Sequence, residues 1–179
     1  YWQRSAVAAA LGTLAILPVS PSLAASDFIN FHDESYHASF QYPSAWIRND
    51  GQISGRRAVT AFVDPNHADT SVSIVYSPIA ADFTKLGSLG GKDALRLYLV
   101  PQGNGVTAEV LDERTSGDTY FVEYLLSTPS FQNRHIQSIL ALRPSEAIVG
   151  LTVQAPEDVF QVEKDTINAI SKSLIMDKD

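Results

Sequence analysis

Four stretches of this chain alternate apolar and polar residues with a period of two, and this alternation limits its folds more than any other feature. Val72, Ile74 and Tyr76 face one way while Ser71, Ser73 and Ser77 face the other, as in a strand with one solvated side. Tyr120, Val122, Tyr124 and Leu126 are in phase along a second stretch. Ile136, Leu140 and Leu142 are in phase along a third, residues 133–143, and Ala147, Val149, Leu151 and Val153 along a fourth. Residues 57–64 and 28–32 are shorter candidates. The turns expected between strands are Asn49-Asp50-Gly51, Asp64-Pro65-Asn66, Ser116-Gly117-Asp118 and Pro129-Ser130.

Two segments read as helices. Residues 92–100 have helical propensity and lie between Gly90-Gly91 and the breaker Pro101. The C-terminal one is stronger. Pro156 suits the first helical position, and Glu157 and Asp158 follow where the helix dipole favours negative charge. Phe160, Ile167, Ile170 and Leu174 then form a stripe that can pack on a sheet. Strands in adjacent hairpins with helices interposed favour an α+β fold with an antiparallel sheet over a doubly wound parallel one.

The N-terminus follows another logic. Residues 5–25, SAVAAALGTLAILPVSPSLAA, carry no charge. Arg4 precedes an apolar core over residues 6–17, and Ser22-Leu23-Ala24 is a small-x-small cleavage signal. That layout belongs to a signal for crossing a membrane, cut after Ala24 or Ala25. The alternative is a retained transmembrane anchor, but the apolar run before Pro18 is only about 13 residues against the ~20 a span needs. Residues 1–25 are therefore expected to target the protein, and 26–179 to form one domain.

Thirteen Lys and Arg against twenty Asp and Glu leave a formal charge of −7, and Arg56-Arg57 is the only adjacent basic pair. A phosphate backbone demands clustered cations, so nucleic acid is excluded as the main partner. The chain has no Cys, which excludes a CxxC redox pair, Cys-ligated zinc and lipid attachment through Cys.

Catalytic patterns are absent: there is no G-x-S-x-G, H-E-x-x-H, G-x-x-x-x-G-K-[ST] or G-x-G-x-x-G. Asp64-Pro65-Asn66-His67-Ala68-Asp69 begins like a calcium loop. Ala68 then stands where a ligand is needed, Asp69 where Gly is needed and Val75 where Glu is needed, so it reads as a polar turn. His32, Asp33, Glu34 and His37 form the densest ligand cluster, and His32 and His37 could meet across a turn. The plainer reading is a solvated turn. Phe40 and Tyr42 share strand parity and, with Trp46, are assigned to the core.

In order along the chain, the motifs resemble the PsbP family. They are Asp33-x-x-Tyr36, then Phe40-x-Tyr42-Pro43-x-x-Trp46, the strand around Val72 to Pro78, Asp82-Phe83 and Leu86-Gly87-Ser88. Tyr120-x-x-Glu123-Tyr124, Arg134-His135, Ala155-Pro156-Glu157 and Ser171-x-Ser173-Leu174 follow. Tyr-Pro-x-x-Trp is the most specific of them. The resemblance implies an α/β/α sandwich with a central antiparallel sheet of about six strands and helices on both faces. It also implies a non-enzymatic extrinsic protein of the chloroplast thylakoid lumen, peripheral to the membrane. Such a protein docks on the photosystem II core and other lumenal extrinsic subunits and supports the oxygen-evolving complex or its assembly. The alternative is an assembly factor or integral subunit of another thylakoid complex such as photosystem I. The chain departs from the plant pattern in having little extension before Phe28 and a shorter segment over residues 100–110, as in PsbP-like and PsbP-domain relatives.

The same resemblance implies divalent-metal binding, of Ca²⁺ or Mn²⁺, at His135 with an acidic residue after the following strand, here Glu157. By parity with Asn133 and Gln137, His135 is expected on the wet face of its strand. An imidazole and a carboxylate completed by water make a minimal site. The plainer alternative is an exposed His beside Arg134 and a Glu serving the helix N-terminus.

Overall fold

Each of the four alternating stretches forms a strand among the residues that the computed structural model describes, 27–52 and 58–177. The expected leader, residues 1–25, lies outside them. In chain order the strands are β1 (Phe28–Asp33), β2 (Ala38–Pro43), β3 (Ile47–Gln52), β4 (Ala58–Val63) and β5 (Ser71–Pro78). A 3₁₀ turn (Leu86–Leu89) and helix α1 (Gly91–Leu99) follow, then β6 (Thr107–Ser116), β7 (Thr119–Thr128), β8 (Phe131–Arg143) and β9 (Ala147–Pro156). Helix α2 (Glu157–Lys172) and the two-residue β10 (Ile175–Met176) come last among the described residues.

The main sheet has seven strands rather than about six, in the order β3-β4-β5-β9-β8-β7-β6, and every neighbouring pair is antiparallel. Two meanders build it. The first runs β3 to β5; the chain then carries α1 to the far edge and returns as β6 to β9, where β9 zips onto β5. A second sheet, β1-β2-β10, was not anticipated. It shares a core with α2: Phe31 and Phe40 pack with Phe62, Val72, Leu151, Phe160, Ile167 and Ile170. On the opposite face, Leu86 and Leu95 cover Tyr120, Val122, Ile136 and Leu140. Helices thus lie on both faces, as expected, but α2 shares its face with a small sheet.

Helix α2 begins one residue later than expected. Pro156 ends β9 and caps the helix at φ −53°, ψ 144°, a conformation its ring allows. Phe160, Ile167 and Ile170 are buried as the stripe requires, while Leu174 is half-buried beyond the helix end. The Asn49-Asp50-Gly51 turn is also corrected. These residues lie inside β3, opposite Ala61, Thr60 and Val59. As an outer strand β3 needs no apolar row, and Arg48 clasps Asp50 along it at 2.9 Å. The other three expected turns do separate strands.

Candidate functional site

β8 sits beneath α2 on one face and beneath α1 on the other, so residues 135–143 are all buried. His135 is therefore not on a wet face. It is 4 % exposed, and its imidazole lies flat on the Phe160 ring with 3.4 Å between centroids and 2° between planes. Alternation in β8 separates two covered faces, one apolar and one carrying His135 and Gln137.

Three elements converge on this imidazole. Nε2 is 2.7 Å from Oε1 of Glu123 on β7, and Nδ1 is 2.7 Å from Oε2 of Glu157 in the first turn of α2. Gln137 extends the chain of contacts, its amide donating to Glu123 at 3.2 Å and to Asn168 at 2.8 Å. Gln161 donates to the other Glu157 oxygen at 2.6 Å. The β7–β8 register puts Glu123 opposite Gln137 and Leu125 opposite His135, so Glu123 reaches His135 diagonally on one face. Glu157 also sits where the α2 dipole favours a carboxylate.

The structure thus brings the expected pair, His135 and Glu157, into contact. Glu123 is the member that sequence reading missed. Its signal was present: in Tyr120-x-x-Glu123-Tyr124 it has opposite parity to the buried Tyr120, Val122 and Tyr124, on the face that His135 also takes.

As it stands the arrangement leaves neither ring nitrogen of His135 open to a cation. A ligating imidazole must offer a bare nitrogen lone pair. Here each ring nitrogen lies within hydrogen-bond distance of a carboxylate oxygen, so both are engaged by the protein's own side chains. Among the described residues no group of three or more His, Asp or Glu side chains is placed to hold an ion. What the geometry does provide is a clamp that ties the start of α2 to the sheet through two charge-assisted bonds and an aromatic stack.

His32 and His37 do not form a site. In the β1–β2 hairpin His32 is exposed on the side opposite Phe31, opposite Ser39 in register. His37 has φ +49° in the turn and lies 3.6 Å from Glu146. The segment at Asp64 is a turn, as read: its carboxylate accepts from Asn66 N at 2.9 Å and meets His67 Nδ1 at 2.9 Å. Phe40 is fully buried, Tyr42 stacks on Phe62 at 3.8 Å, and Trp46 is half-buried against the same core.

A second, half-buried carboxylate anchors α1. Glu113 on β6 accepts from the Tyr120 hydroxyl at 2.7 Å and pairs with Lys92 and Arg96 at 3.2 and 3.3 Å. Burial opposes its ionisation, yet these three donors together hold the Glu113 carboxyl below its usual range. Burial, with the Glu113 hydrogen bond and charge added, drives the Tyr120 hydroxyl well above its usual value.

The comparisons with known proteins fall on the same fold. The PsbP family model matches residues 26–176, which takes in every strand and helix of the described residues. The chain belongs to the PsbP family. PsbP domain-containing protein 3, chloroplastic, of Arabidopsis thaliana is 29% identical over 137 residues. That alignment takes in 72% of this chain and 56% of the Arabidopsis protein, so the chain spans a little over half the length of this relative. The solution structure of cyanobacterial PsbP (CyanoP) from Synechocystis superposes with a TM-score of 0.67 over 94% of this chain and 98% of that one. At 18% identity it establishes a shared fold.

Proposed function

We propose that this PsbP-family chain is an extrinsic accessory protein of the thylakoid lumen that docks on photosystem II and supports its oxygen-evolving complex or its assembly. The observation that carries this reading is the family match over residues 26–176, nearly the whole of the chain beyond the expected leader. The name of the Arabidopsis relative, chloroplastic, and the membrane-crossing layout of residues 1–25 support the address. The −7 charge supports docking through surface complementarity with basic patches on a larger complex.

In this reading the chain makes and breaks no bonds. The His135 imidazole is 4 % exposed and both its nitrogens are engaged by carboxylates, so nothing about it points to work on a substrate. Its work is positional: it fixes α2, and with it one face of the domain, in a single arrangement. A divalent cation at His135 and Glu157 would have to displace one of these hydrogen bonds, so metal loading and the clamp compete for the same nitrogen.

Protease protection tests the address. In isolated intact thylakoids the protein should resist added protease, become sensitive once the membranes are ruptured, and then wash off with concentrated salt. Digestion in intact thylakoids would overturn a lumenal location, and resistance to salt and alkali would replace an extrinsic protein with an anchored one.

A further inference from the structure

A groove of about 370 Å³ opens between the last turn of α2 and the β6–β8 end of the main sheet. Its base is apolar: Phe121 and Ile139 come from β7 and β8, and Leu174 and Met176 from the chain that leaves α2. Leu174 and Met176 are only half-buried, so they keep apolar surface uncovered. Two cations stand at its wall, Arg114 of β6 and Lys172 of α2, and none of its described lining residues is acidic.

Both cations have capacity left for a ligand. Arg114 lies over the Phe121 ring, its guanidinium carbon 4.0 Å from the centroid, and gives one N–H to Asp112 at 2.7 Å. The stack and that bond hold a planar fork whose remaining N–H donors no described residue takes up. Lys172 is exposed and has no hydrogen bond or ion pair from its side chain among the described residues. In a chain of formal charge −7, a concave surface with two positive charges and no negative one is where an anion is best received.

A cationic wall over an apolar base selects for an anion joined closely to an apolar group. The last residue of a polypeptide meets that demand, because its α-carboxylate and its side chain branch from one carbon, and the carboxyl is ionised at neutral pH. An internal Asp or Glu does not, since its carboxylate replaces the apolar group and its neighbours in an extended chain point the other way. A long acyl chain is a poorer fit, because the groove is open along one side and would leave much of it wet.

We infer that this groove receives the C-terminal residue of a partner polypeptide, an apolar one such as Leu. Its side chain lies against Leu174 and Met176, and Arg114 and Lys172 take its α-carboxylate. The inference rests on the docking reading above and gives it a recognition point: the end of a partner chain, held in a cationic groove on an acidic protein.

Met176 is the sole methionine of the chain, so carbon-13 labelling of the methionine methyl places a single reporter in the groove. The probe is the peptide Gly-Ser-Gly-Leu with a free C-terminus, and its C-terminal amide and Gly-Ser-Gly-Gly are the controls. A saturable shift of the Met176 methyl signal is expected with the probe, and at least about tenfold weaker binding with either control. Arg114→Gln and Lys172→Gln should each weaken the probe about fivefold. Both side chains are exposed, so both variants should keep the urea midpoint. Equal binding of either control, unaltered binding by both variants, or no saturation would overturn the inference. So would octanoate saturating the signal more tightly than the peptide and excluding it, which would make the groove a fatty-acid site.

Co-sedimentation of the full chain with thylakoid membranes stripped of extrinsic proteins separates the two readings. Lys85→Gln is the control, since it removes the same charge outside the groove. Loss of sedimentation in Lys172→Gln but not in Lys85→Gln supports the groove as the docking point. Undiminished sedimentation of Lys172→Gln, or equal loss in both, overturns the groove as the docking point and leaves docking intact. If the unmutated chain itself stays in solution, docking falls, and the peptide titration judges the groove alone.

Discussion

The imidazole of His135 and the ring of Phe160 lie parallel, 3.4 Å apart, although one comes from the longest strand of the sheet and the other from the helix that covers it. With Glu123 and Glu157 at its two nitrogens, His135 is in contact with β7, β8 and α2 together. Such a group is costly to bury and more costly to break, because removing it leaves two carboxylates with only one amide donor each. The PsbP-family chain thus holds its C-terminal helix through a polar joint set into an apolar interface.

His135→Leu should lower stability by about 3 kcal/mol, since Glu123 would keep its partly buried charge with only the Gln137 amide left to satisfy it. Glu157→Gln should lose no more than about 1 kcal/mol, because that carboxylate is a third exposed. Urea unfolding of both variants at one pH checks the order. A neutral His135→Leu would show that the joint is not what holds α2.

Cation addition tests the same nitrogens from another side. With both ring nitrogens engaged, Mn²⁺ should leave the His135 ring resonances unbroadened, and neither Mn²⁺ nor Ca²⁺ should move the melting temperature. Selective broadening of His135 by micromolar Mn²⁺ would mean that the metal displaces a carboxylate and occupies the joint.

Glu113 makes a pH-dependent contribution whose sign is fixed by its environment. Its folded-state value lies below the ordinary 4.5, so its stabilisation is complete above that value and is lost as pH falls through the folded one. Glu113→Gln should therefore destabilise by about 1–3 kcal/mol at pH 7 and flatten the acid limb of the stability curve below pH 4.5. Thermal unfolding of both proteins from pH 7 to pH 3 measures it. A difference that stays constant across that range would remove Glu113 from the acid response.

Two glycines should answer oppositely to alanine. Gly90 caps α1 at φ +95°, and a Cβ there would sit 2.8 Å from the Ala94 Cβ, so Gly90→Ala should cost at least about 1 kcal/mol. Gly150 lies inside β9 with nothing within 4 Å of an added Cβ, and Gly150→Ala should gain about 0.5 kcal/mol. Paired denaturant curves decide both. Loss of stability in both variants would contradict the open space at Gly150.

The sequence was most legible where one face of a strand is apolar and the other is not. Val72 and Ile74, and Tyr120, Val122 and Tyr124, sit in the cores that their parity assigns them. It was least legible at the two edges. β3 and β6 are largely exposed strands whose residues, such as Arg48 with Asp50 or Arg114 with Asp112, satisfy one another along the strand and leave no apolar row to count. The ten residues of β6 carry a register shift between Val110 and Asp112 that further breaks any alternation.

The site was half legible for a related reason. Parity correctly separated His135 and Gln137 from Ile136 and Leu140, but polarity was read as exposure. In β8 both faces are covered, and the polar one is buried because Glu123, Glu157 and Asn168 supply its partners from three other positions in the chain. Only the tertiary arrangement brings those partners together.

Migration on a sucrose gradient tests the central claim most directly. When thylakoid membranes carrying the tagged chain are gently solubilised and sedimented, the account predicts that the chain travels with photosystem II complexes and returns to the top after a salt wash. A chain that stays at the top of the gradient before any salt is added, in membranes whose photosystem II complexes are intact, would contradict it.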